Sequence, residues 1–307
     1  MSHGVSDSIA VARQILGPRA QPDVNLGAMT TYRVGGHAAL HLIANNQEDL
    51  CKVREAKNEA ELPVLVIGKG SNLLVADEGF KGIVVSLGSD FSSTKFDQSS
   101  GKVEVGGKVA LPTLARRCVA EGLSGFEWAV GVPGSVGGAV RMNAGGHGSD
   151  MQACVQAVEL FDLHTGEVKT VANEDLEFGY RSSAVTQEEI ILGASLQLGD
   201  DSDNSGARVL DEVVRWRRDN QPGGQNAGSV FVNPSNETSA ELIDRLGLKG
   251  FRIGSAQVSP KHANFIQADV GGSADDVDAV IAAVARRVYA ETGIGLKTEI
   301  QRVGFED

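Results

Sequence analysis

The chain has 307 residues, 41% hydrophobic and 22% charged, with a formal net charge of −12. That length can bury a sizeable core in roughly two domains, and the composition is that of a folded protein rather than a disordered one. The acidic balance argues against general nucleic-acid or anionic-membrane binding, so any anionic ligand requires arginines and backbone N–H groups gathered locally.

Along the chain, residues 5–16 read as a short helix, 38–43 as a strand and 46–60 as a helix with Leu50 and Val53 inward. Pro63–Ile67 is a short apolar strand that runs into Gly68-Lys-Gly-Ser-Asn72. Short strands follow near 83–87, 103–106, 155–162, 167–171 and 190–198. One helix interrupts them at about 111–121, with Gly122 as its stop. The polar stretch Gly199–Gly206 marks a change in composition and an expected domain boundary. Beyond it a helix is expected over 207–218, and a second from Thr238, where Thr238 and Glu241 form a capping-box pattern. A third is expected over 274–291 with Val277, Val280, Ile281, Val284 and Val288 on one stripe. Gly295–Val303 reads as a last strand. Mixed strands with few helices point to an α+β fold rather than repeated βαβ units.

Three widely spaced cysteines, Cys51, Cys118 and Cys154, give neither a disulfide framework nor a zinc motif. Residues 1–20 hold no basic segment followed by an apolar core, and no apolar run nears the ~20 residues needed to span a bilayer. A soluble cytoplasmic protein, without metal, is the expectation.

Several segments could carry chemistry. Gly68, Lys69, Gly70, Ser71, Asn72 and Leu73 follow a strand, where backbone N–H groups can cradle a phosphate; an ordinary tight turn accounts for them equally. Leu73 stands where a Rossmann fingerprint has glycine. Residues 131–145 hold five glycines beside Pro133, Ser135 and Asn143, which suits close approach of backbone to a flat or diphosphate ligand, or a buried crossover. Arg181, in Phe178-Gly-Tyr-Arg-Ser-Ser183, has the planar fork that suits a carboxylate, or an interdomain ion pair. Ser229 follows Gly228 but lacks the Gly-x-Ser-x-Gly elbow of hydrolases, and by itself reads as a turn or cap serine. Lys261, His262 and Asn264 lead into the apolar strand Phe265-Ile266, and a solvated strand entry accounts for them equally. On the last strand, alternation puts Glu299 opposite Thr298 and Ile300.

Taken in order, Thr30-Thr-Tyr-Arg-Val-Gly-Gly36, Gly-Ser-Asn-Leu-Leu74, Gly131-Val-Pro-Gly-Ser-Val-Gly-Gly-Ala139, Gly-Tyr-Arg-Ser182, Gly228-Ser-Val-Phe-x-Asn-Pro234 and Gln257-Val-Ser-x-Lys-His-Ala-Asn-Phe265 resemble the UDP-N-acetylenolpyruvoylglucosamine reductase family over about 25–303. The resemblance implies an FAD-binding domain of the vanillyl-alcohol-oxidase type. It would span 1–203, with subdomains of about 1–80 and 81–203, completed by the C-terminal strand 295–307. A smaller C-terminal α+β domain, 204–294, would bind a UDP-sugar. It further implies noncovalent FAD, NADPH as hydride donor, and reduction of an enolpyruvyl ether by a monomer.

Under the resemblance, Arg181, Ser229 and Glu299 are the catalytic residues. Arg33, Gly68, Lys69, Gly70, Ser71, Asn72, Leu73, Gly131, Val132, Pro133, Gly134, Ser135, Gly138, Ala144 and Gly145 bind the cofactor. The chain is similar to the shorter subtype, which lacks a tyrosine-bearing loop. Val232 replaces a lysine and His147 a tyrosine found in many members, so His147, Asn233, Lys261 and His262 are the expected substrate contacts. A protonated Glu299 and the fixed charge of Arg181 would stabilise an enolate-like dianion, and Ser229 would supply a proton. Another flavin oxidase or dehydrogenase, and a noncatalytic flavin or UDP-sugar binder, are the rival readings.

Overall fold

The computed structural model describes residues 4–305. Residues 1–3 and 306–307, at the outer ends of the expected FAD-domain spans, lie outside the described residues. The chain forms two compact units, each discontinuous in sequence. The first takes the chain up to Pro22, Leu40–Lys69 and Gly82–Arg217; the second takes Asp23–Ala39, Gly70–Lys81 and the chain from Arg218.

The first unit has two cores. In one, Leu50, Val53, Ala56 and Ala60 share a face of the helix Gln47–Ala60 and are buried. They cluster with Ala12 and Leu16 of the helix Val5–Leu16 and with Leu40, Leu42, Ile83 and Val85 from strands. The strand Val64–Val66 pairs in parallel with Phe80–Leu87, Val64 opposite Ile83. The helix Gln47–Ala60 opens on Asn46, whose side chain accepts from the Asp49 N–H at 3.0 Å. That bond satisfies one of the four unpaired donors of a helix start.

The second core lies on a five-stranded antiparallel sheet, in the order Val168–Ala172, Val155–Asp162, Glu189–Gln197, Lys102–Gly106, Thr94–Asp97. The helix Leu111–Ala120 buries Leu111, Leu114, Ala115 and Cys118 among Val103, Leu160 and Leu196 of that sheet. Val213, on the helix Gly206–Asn220, joins the same cluster.

In the second unit the helix Ala274–Thr292 is capped by Ser273, which accepts from the Asp276 N–H, and closes at Gly293 with φ +72°. Its stripe Val277, Val280, Ile281, Val284 and Val288 is buried, as expected. It shares a core with a small antiparallel sheet of Arg252–Ile253, Ala256–Val258 and Ile266–Ala268. The capping box of Thr238 and Glu241 starts the helix Ser239–Arg245. Tyr32, Val34 and Leu74, distant in sequence, bury into this same core.

The expected strand Gly295–Val303 is corrected. Only Gln301–Val303 is a strand, parallel to Leu73–Val75 with Gln301 opposite Leu73. Residues 297–299 bond instead to an irregular segment, Val232 N–H to Lys297 O at 2.9 Å and Glu299 N–H to Val230 O at 2.7 Å. The change of partner breaks the ladder, and with it the alternation: Thr298 is exposed and Glu299 half-buried.

Candidate active site

The second unit gathers four of the motifs. Thr31 N–H donates to Gly70 O at 3.2 Å, tying the Thr30–Arg33 segment to the Gly70 turn. Gly70 has φ +58°, and a Cβ there would stand 2.6 Å from Met29 O and 2.7 Å from Thr30 Cα. Only glycine accepts both conditions. Asn72 then reaches the late strand: its Nδ2 donates to Glu299 O at 3.1 Å and its carbonyl accepts from Gln301 N–H at 2.8 Å. Glu299 N–H meets Val230 O, so Glu299 is pinned beside the residue that follows Ser229. Ser229 is half-buried, directly after Gly228 with φ +78°.

The Ser229 segment is gripped from its other side by Asn264, which is 3% exposed. Its Oδ1 accepts from Phe231 N–H at 2.9 Å, its Nδ2 donates to Phe231 O at 2.8 Å, and its carbonyl accepts from Val230 N–H at 2.9 Å. The carboxamide acts as a one-residue strand partner.

The expected substrate contacts of this unit have protein duties as well. Asn233 Oδ1 accepts from Ser239 N–H at 3.0 Å, and Lys261 Nζ donates to Arg218 O at 2.5 Å. His262 stacks edge-on to Phe265 at 4.7 Å, and burial lowers its pKa, with Lys249 adding to the effect.

The first unit gathers the others. A Cβ on Gly68 would meet Ser135 Oγ at 2.3 Å, which brings the two glycine-rich segments into contact. Ser135 opens the helix Val136–Arg141 by accepting from Gly138 N–H at 3.4 Å. Val136 and Gly137 N–H donate to Val109 and Gly107 carbonyls. Arg181 is half-buried and donates to Gly145 O at 3.1 Å and Asn143 O at 3.5 Å. Its guanidinium carbon lies 5.0 Å from the ring centroid of Tyr180. His147 meets Trp216 edge-on at 5.0 Å, and its pKa is lowered by burial and by nearby Arg217.

Non-glycine residues with φ in the left-handed region are uncommon and each costs roughly 1–3 kcal/mol. Eight occur among the described residues, and Arg33, Asn143, His147 and Arg181 lie in the site motifs.

The residues fit FAD. Several glycines are required by protein packing: a Cβ on Gly131 would press Val213 at 2.8 Å, and one on Gly145 would press Asp150 at 2.6 Å. Gly138 and Gly146 are different, since a Cβ there would find only one atom each, at 3.6 and 3.8 Å. Their lack of side chains leaves room beside the loop rather than relieving a clash. A cavity of about 370 Å³ adjoins the same loop, lined by Pro112, Arg116, Val130, Gly131, Pro133, Val214 and Arg217. Burial lowers the pKa of Arg217, so an anion arriving beside it would be favoured. Two arginines against an apolar and glycine wall suit part of a dinucleotide.

The sequence places Asn143 and Asn264 in candidate segments but assigns neither a role. For Asn143 the available signal was an asparagine among small residues in a loop, since asparagine tolerates left-handed backbone.

Comparison with known proteins gives the same assignment. The family model of the UDP-N-acetylenolpyruvoylglucosamine reductase C-terminal domain matches residues 220–303, and the FAD binding domain model matches 38–172. The UDP-N-acetylenolpyruvoylglucosamine reductase of Heliobacterium modesticaldum is 43% identical over 280 residues, covering 90% of this chain and 88% of the relative. That of Prochlorococcus marinus is 39% identical, covering 94% and 99%. The crystal structure of UDP-N-acetylenolpyruvylglucosamine reductase from Thermus caldophilus superposes with a TM-score of 0.80 at 36% identity, covering 93% of this chain and 99% of that one. The fold is therefore an FAD-binding domain with a separate C-terminal α+β domain, and the chain belongs to the UDP-N-acetylenolpyruvoylglucosamine reductase family.

Proposed function

We propose that this chain reduces the enolpyruvyl group of UDP-N-acetylglucosamine enolpyruvyl ether to give UDP-N-acetylmuramate, using NADPH and noncovalently held FAD. The observation that carries the reading is the bonding that ties Glu299 to the segment following Ser229, within the motifs of this family. Arg33, Gly68–Leu73 and the 131–145 loop would hold FAD, and 204–294 would hold the UDP-sugar. The chain would act as a monomer in the cytoplasm. Among the described residues no helix is long and apolar enough to cross a membrane.

FAD, held by Arg33, Gly68–Leu73 and the 131–145 loop, would supply the hydride chemistry, with NADPH as the donor. The protein's own residues then govern the alkene. As one alkene carbon gains hydride, the electron pair of the double bond moves onto the other and into the carboxylate, which becomes an enolate-like dianion. Arg181 stabilises that charge with a cationic fork, which works best where water is excluded. Glu299, protonated, donates a hydrogen bond to a carboxylate oxygen. Ser229 gives its hydroxyl proton to the carbanionic carbon and regains one from solvent. Hydride plus proton saturate the bond, so the reaction balances.

The test is anaerobic stopped-flow absorbance of the flavin with Ser229→Ala. Flavin bleaching by NADPH should be nearly intact, because no substrate carbon is protonated there. Reoxidation by the enolpyruvyl substrate should slow by roughly 10²–10⁴-fold, as for a lost general acid. Equal slowing of both halves would make Ser229 a residue of the fold or flavin site. An effect on neither would move the proton donor elsewhere.

A further inference from the structure

We propose that Asn143 is the positioning residue for Arg181, which deepens the reading of Arg181 given above and rests on it. Asn143 is buried to 3% exposure and adopts φ +38°. Its Nδ2 donates to Gly179 O at 2.9 Å. Gly179 opens the tight turn that carries Arg181, closed by Gly179 N–H to Ser182 O at 3.0 Å and Ser182 N–H to Gly179 O at 3.3 Å. Its Oδ1 accepts from Gln152 N–H at 2.9 Å, which orients the carboxamide so that nitrogen faces the turn. Asp150 Oδ2, 3.4 Å from Nδ2, favours the same orientation.

The backbone of Asn143 holds the other end of the arginine. Its carbonyl accepts from Arg181 Nη1 at 3.5 Å, while Gly145 O, two residues on, accepts from Nη2 at 3.1 Å. One residue thus fixes both the turn from which Arg181 projects and the place where its guanidinium ends. A long side chain anchored at root and tip has few rotamers left, and its planar fork keeps one orientation. Asn143 makes both contacts from left-handed backbone, its carbonyl meeting Arg181 while its side chain reaches back to Gly179. Asparagine accepts that backbone with less strain than most residues. Asn143 need not touch substrate to do this, and it is not a catalytic residue.

The test uses flavin-loaded enzyme and four forms: wild type, Asn143→Asp, Arg181→Ala and the double variant. Asn143→Asp keeps the volume and the acceptor for Gln152 but replaces the donor to Gly179 with an acceptor, so it carries the test even if Asn143→Ala fails to fold. Reoxidation of reduced flavin by the enolpyruvyl ether should slow on the order of 10²-fold, the scale of a misplaced reacting group, with kcat falling far more than KM changes. In the Arg181→Ala background the Asn143→Asp change should have almost no further effect, because a residue that acts through Arg181 is silent once Arg181 is gone. Equal slowing in both backgrounds overturns the inference, and so does loss of flavin from Asn143→Asp, which would assign the residue to cofactor binding. Near wild-type turnover of Arg181→Ala would overturn the reading of Arg181 itself, and this inference with it.

Discussion

Arg181 donates to two carbonyls through two different nitrogens, which is a use of shape as much as of charge. Lysine cannot reproduce it, since an ammonium is a point charge with no fixed plane. Arg181→Lys should therefore lower kcat by roughly 10²–10³, the loss typical of one oxyanion-stabilising group. Steady-state turnover of the purified variant decides this, and near wild-type activity would make the residue remote from the reaction. Strain outside the site should behave differently. Glu61 ends the helix Gln47–Ala60 in left-handed backbone with φ +53°, and its side chain is exposed. Glu61→Gly should raise stability by about 0.5–1 kcal/mol, because relief of the Cβ clash exceeds the added freedom of the unfolded chain. Urea midpoints that fall instead would show that the Glu61 side chain makes a contact worth more than its strain. Arg181, Ser229 and Glu299 could be singled out from sequence because each sits in a local motif. The duties of Asn143 and Asn264 could not, since their partners Gly179 and Phe231 lie 36 and 33 positions away.

Elements with strong periodicity were legible for a physical reason. The stripe on Ala274–Thr292 and the face of Gln47–Ala60 each repeat apolar residues at helical spacing over several turns. Of the small sheet Arg252–Ala268 only an apolar strand at Phe265-Ile266 was legible, because strands of two and three residues are too short to show alternation. Gly295–Val303 alternates in sequence, yet its partner changes midway from the 230–232 segment to Leu73–Val75. One helix start offers a pH test. Asp49, 2% exposed, takes two bonds from the Arg19 guanidinium and one from Asn45 N–H at 2.8 Å. Its pKa is held below the ordinary 3.8, first by the hydrogen bond from Arg19. A depressed carboxylate pKa contributes stability above the unfolded value, and that stability is lost as pH falls through the folded one. The urea midpoint should therefore drop below about pH 4 in wild type. Arg19→Met should lower the midpoint at pH 7 and weaken this acid-side dependence. An unchanged pH profile in Arg19→Met would show that the ion pair is not its source.

For the whole molecule, the family assignment and the α+β class were legible from motif order. The division into units was not, because residues 23–39 and 70–81 fold with a C-terminal region whose local sequence says nothing of them. Noncovalent FAD should behave as a ligand of the native state. Free FAD at a hundred times its Kd should raise unfolding free energy by about 2.7 kcal/mol, visible as a concentration-dependent Tm. Acid precipitation should leave yellow cofactor in the supernatant; colour retained in the pellet would mean a covalent bond.

The pairing of Leu73–Val75 with Gln301–Val303 also bears on how the protein is made. Asn72 and Glu299, which bond to each other beside that pairing, are 227 residues apart. At a synthesis rate of roughly 5–20 residues per second, the early segment leaves the ribosome about 10–45 s before its partner exists. During that interval Tyr32, Val34 and Leu74 have no core to enter, although residues up to Arg217 can already complete theirs. A nascent chain arrested just after Arg217 has cleared the ribosomal exit tunnel should therefore carry a folded first unit and two sticky, protease-sensitive loops. Because the second unit is discontinuous, cutting the gene at a single point cannot yield it alone.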